Sequence, residues 1–296
     1  MLKTYWMRAI IATSILGLSI IYLRYLVRNA DQNILGLALD IPLWVIFCSI
    51  LLSTLGGFFN AILWYRLIKD QNETSSFSSS YWAWSVSRIF RYIPGKVFGY
   101  AVRHGLEKSS LKQGISASLN ELLVVLGSLM FLGGCFFLFS IPVLALAFLL
   151  SFMLIVFCQK IAILSLKFLP FQLSHILNPE VLSDSRRMFG SMVIVFPAML
   201  AHTAAFYLIM TSGLGEVVFS FVRSAVVFYF SGLAGQLAIV VPGGLGVRES
   251  VMAYLSNLSG VTEGVAVCAA LTSRILLLFA ELVNVVLSGF VKRFSA

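Results

Sequence analysis

Apolar runs long enough to cross a hydrocarbon layer of about 30 Å recur from one end of this chain to the other, at about residues 8–27, 41–65, 114–139, 142–168, 190–213, 217–241 and 264–291. Lipid offers backbone N–H and C=O groups no partner, so segments of this length satisfy their own hydrogen bonds as helices. The expected fold is therefore an all-α polytopic membrane protein forming a single domain over residues 1–296, with no stretch left over for a separate soluble domain. A mean hydropathy of +0.96, with 25 phenylalanines and only 11% charged residues, exceeds what one water-soluble core of this size could bury. That balance argues against most cytosolic enzyme chemistry.

The charge that remains is basic, +9 overall, and it concentrates between the apolar runs, where anionic headgroups lie. A membrane surface is the partner this implies, not a nucleic acid. The 66–112 connection carries Arg66, Lys69, Arg88, Arg91, Lys96, Arg103, Lys108 and Lys112, and the 159–189 connection carries Lys160, Lys167, Arg186 and Arg187. Both are expected on the cytoplasmic side, as are Lys3, Arg8, Lys292 and Arg293, whereas Arg24 and Arg28 run against the pattern. Lys3 and Arg8 precede an apolar run without a clear cleavage site, which reads as a retained first span. Cys48, Cys135, Cys158 and Cys268 fall in apolar segments without a CxxC pair, so no metal site, cofactor or disulfide framework is expected.

Two segments, 81–104 and 243–258, are too short or too charged to be ordinary spans. The first contains Arg91, Pro94, Gly95, Lys96, Gly99 and Arg103, and follows a serine-rich loop and the interfacial aromatics of YWAW. The second is entered through Pro242, Gly243, Gly244 and Gly246, with Arg248 and Glu249 directly after them. Pro-Gly cannot continue a helix, and the backbone it frees survives at membrane depth only where protein buries it or a watery cavity receives it. Two re-entrant, broken-helix segments are expected in addition to about seven full spans. Their likeness suggests an internal repeat with halves 81–168 and 217–291. A helix restarting after each break presents free N–H groups and its positive end to the cavity, which suits a phosphate or carboxylate.

Charges also occur inside the runs, where each costs roughly 2.5–3.5 kcal/mol on insertion scales. Arg274, Glu281 and Ser288 recur every seven positions and share one helix face with Asn284 beside it, so that face should point into the bundle. Glu121 and Ser128 line a stripe of their own helix, and a pair between Glu121 and Arg274 or Arg248 is expected. Neutralised ion pairs that hold helices together account for these charges as readily as transport does. His202 reads more naturally as a packing residue than as a proton relay, and Gln236 and Ser231 are weaker candidates.

Arg91-x-x-Pro94-Gly95 with Arg103, together with Pro242-Gly-Gly-Leu-Gly-Val-Arg-Glu249 and the later Arg274, resembles the lysylphosphatidylglycerol synthase transmembrane-region family over most of the chain. Lys96 stands where that pattern usually has glycine. The resemblance implies lipid translocation in the bacterial cytoplasmic (inner) membrane. It also implies headgroup binding near the breaks and possible association with envelope glycosyltransferases. The soluble aminoacyl-transfer domain of bifunctional members has no counterpart before Ala296, so synthesis of lysylphosphatidylglycerol is not expected.

The leading functional expectation is a flippase-like transporter for an anionic phospholipid or a polyprenyl-phosphate-linked sugar, not an enzyme. Arg91, Lys96, Arg103 and Arg248 would hold the headgroup, with Glu121, Arg274 and Glu281 as a switching charge network. No G-x-x-x-x-G-K-[ST] loop supplies ATP. A membrane-embedded transferase acting on a lipid phosphate, or a scaffold for envelope biosynthesis, are the alternatives.

Overall fold

The computed structural model describes residues 34–70, 74–90, 97–107, 109–137, 185–216, 219–238 and 246–295, with single positions 146, 150 and 244. The described residues form helices and no strand. In chain order these are α1 (Ile34–Leu39), α2 (Leu43–Lys69), α3 (Phe77–Phe90), α4 (Val97–Glu107), α5 (Leu111–Phe137), α6 (Ser185–Leu208), α7 (Phe221–Leu237), α8 (Val247–Leu258) and α9 (Glu263–Phe294). A π-helical turn, Ile209–Gly213, extends α6.

Local chemistry sets several of the starts. Ser76 Oγ accepts the N–H of Ser79 ahead of α3, and Ser220 Oγ accepts that of Arg223 at the start of α7. Before α5, Gln113 N–H donates to Ser110 Oγ while Ser110 N–H donates to Gln113 Oε1, a reciprocal capping box. The serine-rich loop thus ends in a helix cap.

Four stretches are long and apolar enough to cross a membrane: Leu43–Lys69, Gln113–Phe131, Phe189–Gly213 and Glu263–Phe294. They fall on the expected runs 41–65, 114–139, 190–213 and 264–291. The runs 8–27 and 142–168 lie outside the described residues. For 217–241 the described helix is α7, whose 17 residues reach about 25 Å, less than a hydrocarbon core. The segment 81–104 is two short helices, the end of α3 and α4, on either side of 91–96; 243–258 holds the single helix α8. A long helix, two short ones and a long helix occur in that order twice, as α2–α5 and again as α6–α9.

The long helices are apolar outside and polar inside. On α9, Leu271, Ile275, Phe279, Leu282, Val286 and Phe290 are exposed at spacings of three and four, while Arg274, Glu281, Asn284 and Ser288 are buried on the opposite side. On α2, Leu43, Phe47, Leu51 and Leu55 are exposed and Ser49 and Ser53 buried. Water would reverse this arrangement; lipid favours it. The protein is an integral membrane protein.

The chain divides into two compact units. One gathers residues up to Gly56, Arg88–Gly99 and Leu200–Asn284; the other gathers Gly57–Ser87, Tyr100–Met199 and Val285–Ala296. The first has an aliphatic core in which Ile41 and Val45 meet Phe206, Ile209, Met210, Val227, Met252 and Val265. The second is aromatic, with Tyr81 edge-on to Phe58 and stacked on Phe77, and Phe131 stacked on Phe196.

Candidate functional site

The described part of the second motif lies in the first unit. Gly244 has φ +67°, and a Cβ there would lie 2.7 Å from the carbonyl oxygen of Gly235 on α7. Backbone meets backbone at this point, and the positive φ and close approach together require glycine at 244. Gly246, at φ +80°, then starts α8, and its N–H donates to Glu249 Oε2 at 2.7 Å. The other carboxylate oxygen of Glu249 lies 3.3 Å from Arg274 Nε, with both side chains buried. The N-cap N–H that sequence reasoning offered to a ligand is therefore taken by the chain's own carboxylate, which Arg274 neutralises.

Arg248 takes a different course. Its Cβ packs against Gly235, and its guanidinium lies over the Phe228 ring, 4.7 Å from the centroid. His202 stacks on the same phenylalanine at 5.9 Å, and its imidazole lies where Gly56 has no side chain. Together with Ser49, Ser53 and Ser273, these residues line a small pocket with room for about one water molecule. Arg248 is the charged residue of a lining that is otherwise largely apolar, with Ala205, Phe206, Ile209, Leu276 and Leu277.

A second pair in the same unit, Arg88 Nε and Glu281 Oε1 at 3.6 Å, gives Glu281 its partner. Sequence reasoning counted Arg88 only among the cations of the 66–112 connection. Asn284, one turn along, donates to the carbonyl of Thr54.

The second unit holds Arg103 and Glu121 as a buried ion pair. The expected partner of Glu121 was Arg274 or Arg248; its recorded ion pair is with Arg103, which α4 delivers to α5 within the same unit. Arg103 Nε donates to Ser87 Oγ at 2.9 Å, and its guanidinium lies over the rings of Trp64 (4.4 Å) and Tyr100 (5.6 Å). Trp84 Nε1 donates to the other oxygen of Glu121 at 3.2 Å. Burial beside Arg103 pushes His104 down to about 4, so its imidazole is neutral.

Of the remaining expected site residues, Gly99 is buried in α4. Arg91, Pro94, Gly95, Lys96, Pro242 and Gly243 lie outside the described residues. Gly235, Phe228 and Trp64 escaped sequence reasoning because each acts by shape against a residue distant in the chain. Among the described residues no group of His, Cys, Asp and Glu could hold a metal ion.

Long helices with lipid-facing apolar stripes, inward charge pairs and a glycine-lined backbone crossing define the class: an integral membrane protein. The model of the lysylphosphatidylglycerol synthase transmembrane region matches residues 9–283, and the chain belongs to that family. It is a family of membrane proteins in lipid or envelope biosynthesis or translocation. No curated relative matches the chain.

Proposed function

We propose that this protein is a flippase-like transporter of the bacterial cytoplasmic membrane, moving an anionic phospholipid or a polyprenyl-phosphate-linked sugar without changing it chemically. The observation that carries the reading is Arg248, together with Ser49, Ser53 and Ser273, in the lining of a small pocket beside the crossing of Gly244 on Gly235. In the described conformation the pocket accommodates one oxygen-sized group, so a headgroup enters through a single phosphate oxygen. Arg248, which is partly exposed, turns to meet it. Serine hydroxyls and a guanidinium are a natural set for a phosphate anion.

The roles expected of Arg103 and Arg274 change in this reading. Each is matched to a carboxylate, so they hold the architecture while Arg248 is the described cation that meets lipid. The test is reconstitution in liposomes with a labelled anionic lipid, wild type beside Arg248→Ala, with mass spectrometry of lipids that co-purify. Enrichment of one lipid class and its movement without a mass change, both diminished in the variant, support transport. A change in lipid mass would instead identify a transferase, and neither movement nor modification would leave a scaffold.

A further inference from the structure

Among the described residues, Glu107, Glu249 and Glu281 are buried glutamates and Glu121 is part-buried. Glu121, Glu249 and Glu281 each lie against an arginine: Arg103, Arg274 and Arg88. Glu107, the last residue of α4, does not. It is 6% exposed; Oε1 accepts a hydrogen bond from Ser80 Oγ at 2.7 Å, and Oε2 is buried with no hydrogen-bond partner.

Among the described residues the surroundings supply no counter-charge. On its own helix Arg103 is committed to Glu121 and Ser87, and His104 is neutral, its ring packed on Trp64 of α2 and over Gly114 of α5. Facing it, α3 presents the hydroxyl of Ser80. Lys108, next in the chain, lies outside the described residues. An ionised carboxylate removed from water needs a cation or several donors, and one hydroxyl is insufficient. A proton is the counter-charge that fits the space.

We propose that Glu107 is a proton-binding site through which lipid movement is coupled to the proton gradient. This rests on the transport reading. A hydronium ion gives its proton to Oε2, one O–H bond breaking on the hydronium as another forms on the carboxylate, and the reverse transfer to water releases it. Ser80 steers the site by engaging Oε1 and leaving Oε2 for the proton.

The experiment uses the full chain in liposomes and two readouts. Infrared difference spectroscopy between acid and alkaline buffer reports protonated carboxyl groups whether or not lipid moves. The band assigned to Glu107 should vanish in Glu107→Gln, return shifted in Glu107→Asp, and move in frequency in Ser80→Ala, which removes the hydrogen bond to Oε1. In parallel, a gradient of one pH unit should bias labelled-lipid distribution by up to about tenfold per proton in the wild type. It should leave Glu107→Gln unbiased. Loss of the bias with the band retained, or retention of both in Glu107→Gln, overturns the proposal. A wild type that moves no lipid defeats the transport reading and the coupling with it, while the band alone then decides whether Glu107 binds a proton. Should Glu107→Gln fail to fold, Glu107→Asp and Ser80→Ala decide the question.

Discussion

Arg274 lies 3.3 Å from Glu249, and the pair is the reverse of Arg103 with Glu121. In the first case a short helix brings the acid and a long helix the base; in the second the short helix brings the base and the long helix the acid. Both short helices follow a proline-glycine break. Removing one charge from a buried pair costs about 3–5 kcal/mol because the other is left uncompensated. Arg274→Met should therefore lower the detergent-solubilised melting temperature sharply, and Arg274→Met with Glu249→Gln should recover part of the loss. Exchange of the two charges should not recover it, because Gly246 N–H would lose its acceptor.

Gly244→Ala should be among the most damaging single substitutions in the second motif. A left-handed conformation costs an L-residue about 1–2 kcal/mol, and the new methyl would also press on the carbonyl of Gly235. Gly215, also at positive φ but with open space around it, should bear the same change at the backbone cost alone. Melting temperatures of the two variants side by side check this.

Arg248→Ala should lower the melting temperature modestly, through loss of its contact with Phe228, and weaken anionic lipid binding. A charge-assisted hydrogen bond contributes about 1.5–3 kcal/mol, roughly tenfold or more in affinity. Arg248→Lys should recover attraction in part, since a point charge replaces a planar fork. Native mass spectrometry with titrated lipid separates the three proteins.

Arg103→Lys should be destabilising although the charge is kept. The guanidinium lies over Trp64 and Tyr100 while donating to Ser87 and pairing with Glu121, a geometry that an ammonium cannot reproduce. A desolvated cation–π contact is worth about 2 kcal/mol, so a clear drop in melting temperature is expected.

Hydrophobic length and helical period determined by themselves that this chain is an all-helical membrane protein, and which face of α9 turns inward. Arg274, Glu281 and Ser288 repeat every seven positions, and a helix in lipid has no other way to place them. The proline and glycine pattern likewise marked where backbone would need special conformations. The tertiary structure decided who meets whom. Glu121 takes Arg103, Glu281 takes Arg88, and Glu249 takes both Gly246 and Arg274, because pairing depends on which helices are neighbours and on how far each side chain reaches. Gly235 mattered only once Gly244 came down on it. The same reason separates Glu107 from Glu121, Glu249 and Glu281: packing, not sequence, decides which carboxylate meets an arginine.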